Sequence, residues 1–346
     1  MELSEPTVAV LSEADRALGR LAGAGRLLPN PHLLVNAYVR REAVASSRIE
    51  GIQASLSDLF DAEARGDFRD GDIQEVVNYI RAVETGLARL DQLPISRRLL
   101  EEIHRVLLSG VRGEAAQPGN VRTSPNWIGS PDNQPATAVF VPPPVDELAE
   151  GLADWERFVH EPLAMPPLIR CALMHYQFET LHPFLDGNGR LGRLLIVFFL
   201  VSEDLLPAPL LYLSSYFEAH RSQYYDRLQA VREAADVEGW LQFFLSAVVT
   251  QATDALARAE QLIDLREGYR ERLRGKRSRA HEVVDMVLEN PYVTTAQVAA
   301  RLGVTSQGAT NLLRTLEDRD ILRSLPRLGG RSNRWVAFEV LAVLTG

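Results

Sequence analysis

Residues 182–193 read His182-Pro183-Phe184-Leu185-Asp186-Gly187-Asn188-Gly189-Arg190-Leu191-Gly192-Arg193. An imidazole, a carboxylate, an amide, three glycines and two arginines within twelve residues make a mixture suited to a phosphate. Gly187, Gly189 and Gly192 let the backbone come close to a ligand. Arg190 and Arg193 are three residues apart and share a face if the segment is helical. Behind them, Leu194-Leu195-Ile196-Val197-Phe198-Phe199-Leu200 predicts a buried helix. The segment reads as a loop delivering polyanion ligands to a helix N-terminus, where free N–H groups and the helix dipole favour negative charge.

Outward from this stretch the periodicity is almost wholly helical. Helical patterns run over Val8–Leu21, Pro31–Glu50, Asp70–Leu93, Ser96–Val111, Val145–Val159, Pro167–Thr180, Ser214–Ala234 and Gly239–Leu265. Ser96 is a natural N-cap, and Gly51 a natural residue just past a helix end. Between Gly119 and Pro144 the composition changes to Pro, Asn, Gly and Thr, with Ala138-Val139-Phe140-Val141 as the strand-like run. A connection this long inside a helical body points to function. Glu267–Arg279 is charged and polar, a helix end or linker. Beyond it, short helices at Arg279–Glu289, Thr295–Leu302 and Ser306–Arg319 precede Ile321-Leu322 and Arg334–Phe338, which flank Gly329-Gly330. Helix, tight turn with Gly303, second helix and β-hairpin make the winged helix-turn-helix arrangement. The expected fold is mainly α: a helical bundle with one small hairpin, then a winged helix-turn-helix.

The 346 residues leave room for two or three domains, and 46% hydrophobic with 24% charged residues is the make-up of an ordinary soluble protein. The longest apolar run, Leu194–Val201, is far too short for a membrane span. Met1–Glu5 carries no basic or apolar leader pattern, so no signal peptide is expected. The single cysteine, Cys171, rules out an internal disulfide framework, fits a reducing cytosol and sits in an apolar helical pattern that reads as core. A cytoplasmic location follows as an expectation. The net charge of −9 is uneven: residues 276–346 carry 10 Lys+Arg against 7 Asp+Glu, while the remainder carries 27 against 39. A basic tail on an acidic body hints at a separate terminal module that touches nucleic acid.

Residue by residue, 182–193 resembles the motif of the Fic family, H-x-F-x-(D/E)-G-N-G-R-x-x-R, at every fixed position. Asn126–Gly129 with Val141–Pro144, and Tyr224-Tyr225 with Trp240–Leu245, resemble that family's flap and downstream helices. The resemblance covers most of residues 30–250. It implies transfer of AMP from ATP, with Mg²⁺, to a Ser, Thr or Tyr hydroxyl of a target protein and of the protein itself. His182 would be the general base, an imidazole whose ordinary pKa near ~6.5 suits neutral pH. Asp186 would hold Mg²⁺. Asn188 and the N–H groups around Gly187 and Gly189 would hold the α-phosphate, and Arg190 and Arg193 the β- and γ-phosphates. Gly192, Tyr224 and Tyr225 complete the expected nucleotide site, with Phe184 as apolar anchor. The Doc type, which moves phosphate, has Ala and Lys where Gly187 and Gly189 stand here, so AMP transfer is favoured.

Ser46-Ser47-Arg48-Ile49-Glu50-Gly51 resembles the family's inhibitory motif, (S/T)-x-x-x-E-(G/N), in its N-terminally inhibited class. Ser46 and Glu50 are i, i+4 on one face, and a carboxylate in the last helical turn opposes the dipole and calls for a cation. The resemblance supplies Arg193 as that cation. Pairing would withdraw Arg193 from ATP and hold the enzyme inhibited; some relatives instead use this glutamate to orient water and remove AMP. The expected division is an N-terminal helical region 1–110 with the inhibitory helix at about 31–51, a catalytic core 111–265 and a winged helix 276–346.

Thr137, Ala138, Val139, Phe140 and Val141 are expected to form a hairpin strand that receives the target protein by backbone pairing. In the tail, Thr305, Ser306, Gln307, Thr310, Asn311 and Arg314 could face DNA, although Glu317, Asp318 and Asp320 would repel phosphates. Winged helices also serve dimers, and a homodimer is expected. The rival reading is a DNA-binding regulator whose Fic core senses nucleotide; an intact His182 speaks against it, because a sensor needs no general base.

Overall fold

The computed structural model describes residues 2–27, 31–111, 116–130, 132, 134–162, 164–275, 279–326 and 333–346. The expected hairpin turn at Gly329-Gly330 lies outside them, as do Lys276, Arg277, Arg327 and Arg331 of the basic tail. Helices α1 (Glu5–Leu27), α2 (Pro31–Ile49), α3 (Leu56–Arg65), α4 (Gly71–Leu90) and α5 (Arg97–Leu107) come first. Next stand α6 (Val145–His160), α7 (Pro167–Leu181), α8 (Asn188–Ser202), α9 (Ser214–Ala219), α10 (Arg221–Ala234) and α11 (Val237–Arg272). The tail holds α12 (Ala280–Glu289), strand β1 (Tyr292–Thr294), α13 (Thr295–Leu302), α14 (Ser306–Glu317), β2 (Arg323–Leu325), β3 (Arg334–Val336) and α15 (Phe338–Thr345). No helix among the described residues is long and apolar enough to cross a membrane.

The centre of the body is α8, whose residues from Arg190 to Leu200 are all buried. A helix apolar on every side must be surrounded, and α7, α4, α2 and α5 pack around it. The 36-residue α11 braces this group, with α1 laid along it. Two buried tryptophans tie the outer layer to α7, Trp155 donating to the Met174 carbonyl (3.1 Å) and Trp240 to that of Ala172 (3.0 Å).

Most expected helices form, and their caps explain their ends. Asp70 accepts from the Asp72 and Ile73 amides, Ser96 from Leu99, and Asp236 from Gly239. Some segments differ in detail. The stretch 56–65 forms α3, capped by Ser55 and closed by Gly66 at φ 65°. The segment 214–234 breaks at His220 into α9 and α10. The stretch after 266, read as a helix end or linker, is a helix end: α11 runs to Arg272, because Tyr269 and Leu273 are buried and Arg266 pairs with Asp285 of α12. The tail gains β1 and α15.

The tail is a winged helix with a three-stranded antiparallel sheet in the order β1-β3-β2, Trp335 standing opposite both Val293 and Ser324. Thr294 and Gln297 form a capping box, and Gly303 turns the chain at φ 61°. It is not a loose appendage. The Tyr292 and Ser57 hydroxyls meet at 2.7 Å, Asn290 donates to the Phe60 carbonyl (3.1 Å), and Arg334 pairs with Asp61. All three contacts fall on α3, the helix that follows the Ser46–Gly51 motif.

The hairpin expected at Thr137–Val141 is reduced to one antiparallel bridge, Ile128 with Phe140. Pro135–Thr137 forms a single 3₁₀ turn, so Thr137 is not in a strand. Pro135 and Pro142-Pro143-Pro144 bracket the segment and cannot donate to a ladder.

Candidate active site

His182 ends α7. Its amide donates to the Phe178 carbonyl (3.0 Å), and its own backbone takes the left-handed conformation, φ 46°. That conformation is uncommon for a residue with a side chain and needs support. Buried Arg122 supplies it: Nε donates to the His182 carbonyl (3.0 Å), Nη2 to the Pro143 carbonyl (2.6 Å), and the Arg122 amide to Pro183 (2.9 Å). One guanidinium therefore fixes the turn and the base of the flap together. The His182 Nδ1 is buried with no hydrogen-bond partner. Burial lowers its pKa to about 4, against the upward pull of Glu50 and the Glu179 carbonyl. At neutral pH the ring is uncharged and able to accept a proton, but it sits well below the value expected from an unperturbed imidazole.

The next four residues fold back on themselves. The Phe184 amide donates to Asn188 Oδ1 (2.9 Å), while Asn188 Nδ2 donates to the Phe184 carbonyl (2.8 Å). Asn188 thus shapes the loop with its side chain. Phe184 is fully buried and stacks on His104 of α5, ring centroids 3.9 Å apart. His104 Nδ1 accepts from the Gly119 amide (2.8 Å), so Nε2 carries the proton and donates to the Asp186 carbonyl (2.9 Å). Burial lowers the His104 pKa to about 4, which keeps this neutral tautomer in place. Gly187 begins α8 at φ 77°, a conformation that favours glycine. The Asp186 side chain accepts from the Gly187 amide (2.6 Å) and remains half exposed.

On α8 the glycines and arginines separate in role. A Cβ on Gly189 would lie 2.5 Å from Glu50 Oε1. The Glu50 carboxylate therefore rests on the first turn of α8, where free amides and the dipole attract an anion. Arg193 donates from Nη2 to Glu50 Oε1 (2.7 Å) and to the Ser46 carbonyl (2.9 Å), and from Nε to Ser46 Oγ (2.8 Å). The Arg193 side chain is 2% exposed and that of Glu50 33%, so the acid is ringed by protein yet open to solvent on one side. Burial acts to raise the Glu50 pKa, but the charge of Arg193 and its hydrogen bond outweigh it and hold the carboxyl below its ordinary range.

Arg190 is engaged differently from Arg193: Asp186 lies 3.9 Å from its guanidinium, and its charge also acts on Glu50. Arg190 is buried in an ion pair with Glu75 of α4 (2.8 Å), because the first turn of α8 is enclosed by two different helices. Gly192 is likewise a packing residue: a Cβ there would fall 2.2 Å from Glu179 Oε1 and 3.1 Å from Phe178. Tyr224 lies behind the cleft, fully buried, its hydroxyl donating to His175 Nε2 (2.9 Å), while His175 Nδ1 donates to the Gly192 carbonyl (3.0 Å). Tyr225 keeps 40% of its surface exposed. Its ring lies 5.2 Å from that of Tyr224, and burial first and the Glu50 charge second raise its phenol pKa.

Arg232 of α10 covers the flap's Phe140 ring at 3.7 Å, and Gln229 donates to the Val139 carbonyl (3.4 Å). Val139 and Val141 project outward, 64% and 50% exposed. In the tail, Ser306, Gln307, Asn311 and Arg314 form an exposed face of α14, while Thr305 is occupied in capping Gly308. Glu317 does not repel from that face. Its carboxylate is turned inward to the Ser324 amide and the Trp335 indole.

Arg122, His104, Glu75 and Glu179 were missed by sequence reasoning. Each is a polar residue in an otherwise helical or irregular stretch, and only His104, on the apolar face of amphipathic α5, gave a local signal.

The fold and this loop define a Fic-type protein. Residues 8–88 match the profile of the Fic/DOC family N-terminal region and residues 94–200 that of the Fic/DOC family; the chain belongs to this family. Residues 281–323 match an HTH DNA binding domain. A Fic family protein from Desulfovibrio desulfuricans G20 superposes with a TM-score of 0.63 over 97% of both chains at 21% identity. Fic-1 from C. elegans gives 0.56 over 73% of this chain and 74% of that one, also at 21% identity. Similar curated sequences are the Protein adenylyltransferase fic-1 of Caenorhabditis briggsae, 28% identical over 37% of this chain and 24% of its own, and the Protein adenylyltransferase Fic of Aedes aegypti, 30% identical over 41% and 25%. The chain spans about a quarter of the length of these relatives.

Proposed function

We propose that this protein transfers AMP from ATP to a hydroxyl of a target protein, and that Glu50 holds it inhibited. The observation that carries the reading is the Glu50 carboxylate seated on the first turn of α8, 2.7 Å from Arg193. A carboxylate there marks a place that accepts an anion, beside a neutral imidazole. In the open state the backbone amides at Gly187–Gly189 receive the α-phosphate and Arg193 the terminal phosphate. The target oxygen bonds to the α-phosphorus, its proton passes to His182, and the bond to the bridging oxygen breaks to release pyrophosphate. Arg190, held by Glu75, steadies the start of α8, and its charge still reaches the anion place.

Magnesium would fit Asp186, a half-exposed carboxylate at the start of α8. The described residues hold no cluster of three or more metal-ligating side chains, and Mg²⁺ bound through one carboxylate and substrate phosphates needs none. When bound, the ion would neutralise phosphate charge. The similar proteins from Caenorhabditis briggsae and Aedes aegypti, named protein adenylyltransferases, support the same reading. The division into a helical region 1–110, a core 111–265 and a winged helix 276–346 is part of the proposal.

The test is incorporation of labelled AMP from ATP into the protein itself. Glu50→Gly should raise labelling strongly over wild type, and His182→Ala on that background should abolish it. Equal labelling in Glu50→Gly and wild type would sink the latch; persistent labelling without His182 would sink its role as base. The exposed face of α14 and the profile match at 281–323 support a second contact, with duplex DNA. A gel shift that Asn311→Ala and Arg314→Ala leave unchanged would remove it.

A further inference from the structure

Arg193 serves the anion in front of it, Glu50, but a second carboxyl lies against the preceding residue of α8, Gly192. Glu179, in the last turn of α7, is 7% exposed. Its Oε1 is buried with no hydrogen-bond partner, a costly state for a carboxyl group and one that the proposed reaction does not use. Both acids lie against one face of α8. Glu50 Oε1 would meet a Cβ on Gly189 at 2.5 Å, and Glu179 Oε1 one on Gly192 at 2.2 Å, and positions three apart on a helix are neighbours. Around Glu179 the packed elements present Arg193 from α8, Glu50 from α2, Arg232, Tyr224 and Tyr225 from α10, and His175 and His182 from α7 itself.

We propose that Glu179 is a positioning residue for Arg193, whose protonation sets how firmly that guanidinium holds the anion in the cleft: Glu50 in the latched protein, the terminal phosphate of the nucleotide in the open one. This rests on the reading of Arg193 given above. Burial without a hydrogen-bond partner disfavours the charged form of the Glu179 carboxyl, and the nearby Glu50 charge adds to that. Glu50 keeps contact with solvent and has the direct ion pair, so Glu179 is the one that takes a proton. Burial pushes the Glu179 pKa up to about 7, with Arg193 pulling down and Glu50 pushing up. While Glu179 is neutral, the whole charge of Arg193 is available to the front anion. Once it ionises, its charge competes and the grip weakens.

The test uses the full-length Glu50→Gly protein, alone and with Glu179→Gln, and follows binding of a Mg-ATP analogue with a non-hydrolysable α–β bridge from pH 6 to 8.5. Ionisation of the nucleotide is common to both proteins and cancels. Affinity should fall with pH about tenfold more in Glu50→Gly than in the double variant, the change equivalent to one pKa unit of coupling. Parallel profiles overturn the proposal. If Glu179→Gln does not fold, carbon-13 NMR of labelled glutamate carboxyls decides: a Glu179 that titrates near neutrality and moves down in Glu50→Gly supports the role, and one in the ordinary carboxylate range overturns it. The two readings fail separately. Parallel binding profiles with strong AMP labelling in Glu50→Gly leave the latch standing, whereas divergent profiles with no gain in labelling keep Glu179 behind Arg193 and remove the latch.

Discussion

At Arg193, the last turn of α2 holds a single buried cation through one backbone carbonyl and two side chains. Ser46 takes Nε and part of Nη2, and Glu50 takes the rest. A buried guanidinium that loses one partner is left partly unpaired, so the Ser46 contacts decide how much the departure of Glu50 costs. Ser46→Ala removes one of these bonds, worth about 0.5–1.5 kcal/mol net. It should raise AMP self-labelling above wild type but less than Glu50→Gly does, which labelling rates at equal ATP will check. His182 gives a pH prediction. Its pKa is lowered to about 4, and it must be unprotonated to act as base, so activity is retained above that value and lost as pH falls through it. For the Glu50→Gly protein, the acid limb of kcat/KM, which reports the free enzyme, should lie well below the ordinary imidazole range. A limb near 6.5 would contradict the burial of the ring.

Among the elements, α8 shows most clearly how glycine positions divide. Gly187 needs its left-handed backbone, Gly189 makes room for an anion, and Gly192 makes room for α7. Gly192→Ala would drive a methyl into Glu179 and Phe178, and overpacking of this kind costs about 1–3 kcal/mol. Chemical denaturation should report a loss of that order. Gly189→Ala should behave differently. Its methyl displaces Glu50, yet it occupies the same anion place, so labelling should stay low even though the latch is disturbed. On α5, His104→Ala removes the stack under Phe184 and the bonds to Gly119 and Asp186. A loss of about 2–4 kcal/mol is expected from cavity and unsatisfied groups together, again measurable by denaturation. The helices themselves were legible, because apolar spacing and caps such as Asp70, Ser96 and Thr294 are local signals. The break at His220 and the point at which α11 ends were not, since they depend on what each turn packs against.

For the molecule as a whole, the winged helix meets the helical body on α2, α11 and α3, the last a helix the periodicity did not reveal. Asp61 covers Arg334, whose side chain is 9% exposed. Asp61→Ala leaves that cation nearly buried and unpaired, a change of about 1–3 kcal/mol once its residual exposure is discounted. The expected outcome is a lower Tm without loss of helical signal, and a restored Tm in the double variant Asp61→Ala with Arg334→Met. The sequence by itself determined the chemistry of residues 182–193, the helical class of the body, the winged helix, and the Ser46–Glu50 pair as a candidate partner for Arg193. The first three rest on residue types at short, regular spacings, and the last on the resemblance to the Fic family. Tertiary structure decided which charges meet: Arg190 goes to Glu75, Asn188 to the loop's own backbone, Tyr224 to His175, and Glu179 to the space beside Gly192. It also reduced the flap to one bridge and set the winged helix against α3. Such outcomes depend on burial and on contacts between residues far apart in the chain, where the cost of leaving a charge or a polar group unpaired selects the partner, and no local spacing encodes that choice.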